Sequence, residues 1–261
     1  MKPSFLLRCS ASLFFLLLSA LPSPAAFTAR GSDSTISIVK ALAENFQRIS
    51  GIQIQVEGGG SGAGAKAALA GEVQLAFLSR ALNPAEIAGG LSGVAYAADA
   101  VAIIVHPANP LANASLAELK ALFSGAVTAW PDGKQVVIFN RNTDSGTREI
   151  VQEHVLGKGT AFSAVAAIKH DGILLSSVAK LPGALSYDGF SHADPRVVKI
   201  IAVNGLAPTP QSIRSATYPL TRIPTLATKG APTGEVKAFL DFVLSPDGQA
   251  IVAAHGLLPL H

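Results

Sequence analysis

Three short polar turns constrain this chain most: Gly31-Ser32-Asp33-Ser34-Thr35, Gly59-Gly60-Ser61-Gly62 and Asp144-Ser145-Gly146-Thr147. Each stands just before a stretch with helical character, and that strand, turn and helix rhythm predicts an α/β fold with parallel sheets. After the first turn, Val39, Leu42, Phe46 and Ile49 recur on one helical face, and Gly51 stops the helix. Ile52, Ile54 and Val56 alternate with Gln53 and Gln55, as in a half-buried strand. The second turn opens an alanine-rich helix ending at Gly71, and residues 73–78 form the next strand. VAIIV, residues 101–105, is a continuous apolar run of the sort covered on both faces of a parallel sheet. Ser115 and Glu118 make a capping box for a helix to Phe123. Residues 136–139 read as a strand, 147–156 as a helix and 197–203 as a strand. Two helices close the chain, at 233–244 and 246–255; Ser245 caps the second and Pro246 sits in its first turn.

Residues 1–26 read as a secretory signal rather than as part of the fold. Lys2 and Arg8 precede an apolar stretch, residues 11–21, and Ser23-Pro24-Ala25-Ala26 offers small residues for cleavage near Ala25 or Ala26. The apolar stretch is short of the ~20 residues of a membrane span. Cleavage removes Cys9, the single cysteine, and lowers the net charge from +3 to +1. An exported chain of this kind draws no stability from disulfides. About half of the 261 residues are apolar and 14% are charged, which excludes a disordered chain and leaves no strong field for nucleic acid.

The three turns share one chemistry. A helix N-terminus presents unpaired N–H groups and the positive end of the helix dipole. Glycine lets the backbone approach an anion, and serine or threonine adds donors. Turned toward one cleft, the three would form an oxyanion site, with Arg141 supplying a bidentate guanidinium. The same residues also serve as ordinary N-caps, Asp144 for the helix near Thr147 among them. Gly58-x-Gly60-x-x-Ala63 fits a dinucleotide fingerprint, but Ser79-Arg80 stands where an acidic residue would meet the ribose. No G-x-S-x-G occurs; an exported serine hydrolase would have to use Ser61 or Ser145 with His106, His154, His170 or His192, at no supporting spacing. The histidines lack ligand spacing, so neither metal nor other cofactor is expected. Trp130 and the three tyrosines form no stacking ladder for single-stranded nucleic acid.

The segments GSDST, EGGGSGAG, LSRAL, DAVAIIVHPANPLA, LAELKALFSGAVTAWPDG, RNTDSGTR and LDFVLSPDGQAIVAAHGLLPL run from Gly31 to Leu260. Through them the chain resembles the phosphate-binding, substrate-binding proteins of bacterial ABC transporters, within the type II periplasmic binding protein group. The resemblance implies an α/β fold of two lobes, each a mixed sheet flanked by helices, joined by two crossing strands. Lobe one would span 27–104 and 217–261, and lobe two 105–216. It implies a monomeric, non-enzymatic periplasmic protein that holds inorganic phosphate between its lobes and delivers it to a membrane permease. The ligand groups would be Ser34, Thr35, Ser61, Ser79, Arg141, Ser145, Gly146 and Thr147. Some members place an aspartate beside the strand-end serine, where it accepts the proton of phosphate and rejects sulfate. Here that position reads Ser79-Arg80, which passes the acceptor role to Asp33 or Asp144. Sulfate, molybdate or another tetrahedral anion is the alternative ligand, and phosphate sensing the alternative output.

Overall fold

A computed structural model describes residues 27–163 and 171–260. The segment read as a secretory signal, and His170, lie outside the described residues. In chain order, β1 (Phe27–Gly31) leads into α1 (Ile36–Ser50), β2 (Ile54–Glu57), α2 (Ser61–Ala70), β3 (Leu75–Leu78), α3 (Pro84–Ala88), β4 (Leu91–Ala95) and β5 (Ala97–Val105). Then come β6 (Asn113–Ala114), α4 (Leu116–Ser124), β7 (Val137–Ile138), α5 (Gly146–Val151), α6 (Asp171–Lys180), β8 (Ala184–Gly189) and β9 (Lys199–Val203). The chain ends with α7 (Pro210–Arg214), β10 (Thr221–Arg222), β11 (Thr225–Lys229), α8 (Gly234–Leu244), α9 (Pro246–Ala254) and β12 (Leu258–Pro259).

Two sheets form. The first has the order β2-β1-β3-β11-β4, with β1 parallel to β2 and β3, and β11 antiparallel to β3 and β4. The second has the order β6-β9-β5-β8-β7, with β10 and β12 also paired to β5. Both sheets are mixed, which corrects the parallel arrangement expected from the strand and helix alternation. The VAIIV run is buried along its whole length, yet it pairs antiparallel with both β8 and β9. A strand covered on both faces carries the same apolar pattern whichever way its neighbours run, so the pattern fixes burial and not direction.

Each sheet has its own core. In the first, Ile38, Val39, Leu42 and Phe46 of α1 pack with Phe239 of α8, the Phe46 and Phe239 rings meeting edge to face at 5.4 Å. Ile49, expected on the same face, is 71% exposed, because it lies in the last turn of α1 just before the left-handed Gly51. On the other side, Ala65, Ala67 and Ala68 let α2 lie close upon β3. In the second core, Phe123 and Trp130, the ends of the FSG…W segment, are buried, and the Trp130 indole donates to the Gly183 carbonyl at 3.0 Å. Helix 147–156 of the sequence reading is α-helical only to Val151; Gln152–Leu156 is a π turn.

The chain passes between the cores at two places next to one another. Tyr96 and Ala97 belong to the first core, and Ala98, Ala100, Val101, Ile103 and Val105 supply side chains to the second. On the return, Tyr218 and Leu220 pack in the second core and Leu226 in the first. Between them, β10 pairs with β5, placing Arg222 opposite Asp99 and Thr221 opposite Ala100.

Candidate functional site

The three polar turns meet. The Gly60 N–H donates to the Gly31 carbonyl at 2.9 Å, tying the second turn to the first. The Gly62 N–H donates to the Asp144 carbonyl at 3.0 Å, tying the second to the third. Two glycines make this approach possible. Gly60 has φ +103°, a region that side chains disfavour, and a Cβ there would press into the Asp144 backbone. A Cβ on Gly146 would stand 2.6 Å from Ser79 Oγ and closer still to Ser61 Oγ. The N-caps of α1 and α2, Thr35 and Gly60, make no side-chain capping bond. Their first N–H groups are therefore not taken up by the helices' own cap residues.

Around this junction the hydroxyls converge. Ser34 and Thr35 follow β1, Ser61 opens α2, Ser79 follows β3 and Thr147 lies in the first turn of α5; each is at most 1% exposed. Ser61 Oγ stands 3.3 Å from Ser79 Oγ and accepts the Ser79 N–H at 3.1 Å. Ser34 Oγ lies 2.9 Å from Ser32 Oγ, and Thr147 Oγ1 reaches it at 3.5 Å, the long limit of a hydrogen bond. Thr35 Oγ1 reaches the Ser32 carbonyl at 3.5 Å. The Ser61–Ser79 and Ser34–Thr147 pairs are long, so these buried hydroxyls are poor partners for one another and good donors to an oxyanion.

Arg141 is buried beyond β7. Its backbone N–H donates to Asn140 Oδ1 at 2.8 Å and its guanidinium lies 3.8 Å from Asp188. Tyr187 completes this corner by donating to Asn140 Oδ1, and burial pushes its phenol far above the ordinary value, so it stays neutral. Ser145, not Asp144, is the N-cap of α5, and its Oγ accepts the Arg148 N–H at 3.3 Å. With the first helical residue at Gly146, the residue immediately before it is Ser145, one position past Asp144. Asp33 Oδ1 accepts the Gly59 N–H at 2.9 Å, bracing the first turn against the second. Asp144 turns outward to Lys66 at 3.2 Å with 38% of its side chain exposed.

The sequence reading misses two charged residues here. Asp99 Oδ2 accepts from Arg222 Nε at 3.0 Å and Nη2 at 2.6 Å, and Arg222 Nη1 donates to Thr147 Oγ1 at 2.8 Å. Asp99 is the lone charge in AADAVAIIV, a strand buried throughout; a charge in such a place demands a partner, and that is the available signal. An apolar run that starts at Val101 begins two residues too late to include it.

Arg80 and the two candidate nucleophiles have other partners. Arg80, which a dinucleotide phosphate would need, forks onto Glu86 at 2.8 and 2.9 Å, bonds the Ala81 carbonyl and ion-pairs through Nε with Glu149. Burial works against its charge, and the two carboxylates outweigh that and raise its pKa. Neither Ser61 nor Ser145 bonds a histidine among the described residues. No group of three or more metal-ligating side chains forms among the described residues. Nor does any described helix have the length and apolarity to cross a membrane.

Comparison with known proteins bears on the family and the fold. A family model described as a PBP superfamily domain matches residues 19–247. Protein SphX of Synechococcus elongatus is 30% identical over 96% of this chain and 82% of its own length. Phosphate-binding protein PstS of Bacillus subtilis is 29% identical over 89% of this chain and 80% of its own. The crystal structure of a phosphate ABC transporter substrate-binding protein from Clostridium perfringens, with bound phosphate, superposes with a TM-score of 0.83 at 31% identity. That match covers 90% of this chain and 99% of that one. The family model over residues 19–247, these relatives and the shared two-sheet α/β fold make the chain a member of the PBP superfamily, of the PstS-like kind.

Proposed function

We propose that this protein captures inorganic phosphate between two lobes outside the cytoplasmic membrane and hands it to an ABC permease, making and breaking no bond. The observation that carries the reading is the convergence of Ser34, Thr35, Ser61, Ser79 and Thr147, all buried, at the junction where Gly146 has room for no side chain. Ser145 and the Gly146 backbone complete the ring, and Arg141 supplies the positive charge. Such a site binds by many short hydrogen bonds in a place closed to water, where each charge-assisted bond contributes more than a neutral one.

The lobes are the two sheets. The division expected at 104/105 and 216/217 falls a few residues inside the second core, since Val101, Ile103, Tyr218 and Leu220 pack there. We therefore draw the crossings near Tyr96–Ala98 and Leu220–Leu226. Asp33 is the better placed of the two candidate acceptors for protonated phosphate, because it stands between the first two turns while Asp144 pairs at the surface. Sulfate has no proton to give such an acceptor. The chain acts as an exported monomer with residues 1–26 removed, and the lobes close on the ligand.

Calorimetric titration of the ligand-stripped protein tests this. The expected result is 1:1 binding of phosphate that excess sulfate or molybdate does not displace. Equal binding of sulfate would leave the fold and remove the ligand assignment. Turnover of a chromogenic phosphate or acyl ester, lost in Ser61→Ala or Ser145→Ala, would replace the binding role with hydrolysis.

A further inference from the structure

We infer that Arg222, held by Asp99, is a positioning residue that aims the Thr147 hydroxyl at the bound anion and ties the site to the two crossing connections. The inference rests on the phosphate reading and adds residues to it.

Arg222 uses three of its nitrogens in two directions. Nε and Nη2 both go to Asp99 Oδ2, and Nη1 goes to Thr147 Oγ1 at 2.8 Å. The guanidinium is thereby fixed in plane by the carboxylate before it reaches the hydroxyl. A threonine oxygen that accepts a bond from a cation has its own hydrogen left to donate. Among the described residues that hydrogen finds Ser34 Oγ at 3.5 Å, a weak partner that an anion oxygen would displace.

The place of the pair in the chain matters as much as its bonds. Asp99 lies on β5 and Arg222 on β10, directly opposite in an antiparallel ladder, where the chain passes between the two cores. A neighbouring strand keeps the slot open: a Cβ on Gly189 of β8 would stand 2.5 Å from Arg222 Nη2. Both charges are essentially inaccessible, 0% and 1% exposed at the side chain. Asp99 binds Arg222 closely, at 2.6 and 3.0 Å, so the pair adds orientation rather than net charge; Arg141 stands farther from its carboxylate, 3.8 Å from Asp188, and is the cation assigned to the ligand.

The test is a double-mutant cycle read by phosphate titration, with Arg222→Lys and Thr147→Val. Lysine keeps the charge but cannot bond Asp99 through two nitrogens and Thr147 through a third. In the wild-type background Arg222→Lys is expected to weaken phosphate about tenfold. In the Thr147→Val background, where the hydroxyl it aims is gone, the same change is expected to cost less than about twofold. A full tenfold loss in both backgrounds would overturn the inference and make Arg222 a purely structural residue. Should Arg222→Lys not fold, Asp99→Asn in the same cycle reads the same coupling, since it keeps the shape and loosens the guanidinium. A wild-type protein that fails to bind phosphate would sink the underlying reading, and this inference with it, before any variant is made.

Discussion

Arg80 and Arg222 are both buried, both ion-paired, and both reach α5, one through Glu149 and the other through Thr147. Their anchorage differs. Arg80 follows β3 and is held by Glu86 of α3, so its firm partner belongs to the first sheet while Glu149 belongs to the other body. The Lys66 to Asp144 pair runs the same way. Arg222 and Asp99 instead face each other across the ladder of the crossing strands. Parting of the lobes would break the Arg80 to Glu149 contact and leave the Arg222 to Asp99 pair intact. On the proposed lobe motion the same chemistry would act as a latch in one place and as a fixture in the other, and what decides is whether the carboxylate travels with the arginine.

The largest expected effect separates the two. Asp99→Ala leaves a buried guanidinium without its carboxylate and is expected to cost about 3–5 kcal/mol of stability. Glu149→Ala leaves Arg80 still forked onto Glu86 and is expected to cost under about 1 kcal/mol, while phosphate release in stopped flow becomes faster. Urea unfolding of the two variants side by side decides the matter; equal losses would erase the distinction between fixture and latch.

Smaller effects concern affinity. Arg141→Ala is expected to weaken phosphate binding by at least ~1.5 kcal/mol, because a charge-assisted bidentate contact goes. Ser61→Ala removes one neutral donor and is expected to cost about 1 kcal/mol. Calorimetry on both variants ranks the contacts. Unchanged affinity in Arg141→Ala would move the cationic role to another residue, and a greater loss at Ser61 would make the hydroxyl ring the main source of affinity.

The site is legible where its chemistry is local. Glycine, serine and threonine at the three turns announce backbone approach and hydroxyl donors within a few residues, and the turns do come together. The capping box at Ser115 and the closing helix at Ser245 are legible for the same reason. What stays hidden depends on distant partners. Asp99 and Arg222 are 123 residues apart, and nothing near Arg222 in YPLTRIP marks it as buried. Strand direction stays hidden in VAIIV because burial on both faces erases the pattern that would show it. The short β4, with only Leu91 fully buried, carries too little periodicity to read as a strand.

The smallest effect tests the latch itself. Burial pushes the Glu149 carboxyl above the ordinary glutamate range; Arg80 pulls it back, and Glu86 and Asp144 add to the rise. Arg80 is already neutralised by Glu86, so its pull is the weaker influence. A raised carboxyl pKa means the folded protein holds this proton more tightly than the unfolded chain does. The charged form is therefore the costly one. That cost is absent below the unfolded pKa and complete above the folded one, so the group's contribution falls as pH rises through that window. Glu149→Gln, which keeps a carbonyl oxygen for Arg80 without the charge, is expected to be as stable as wild type in acid and slightly more stable at neutral pH. Unfolding midpoints of the pair measured across the glutamate range and upward give the difference curve. A difference of the opposite sign, with wild type gaining over Glu149→Gln as pH rises, would mean that Arg80 attracts Glu149 more strongly than burial opposes it. The contact would then stabilise the closed form outright, and Glu149 would join Asp99 as a carboxylate whose removal costs stability.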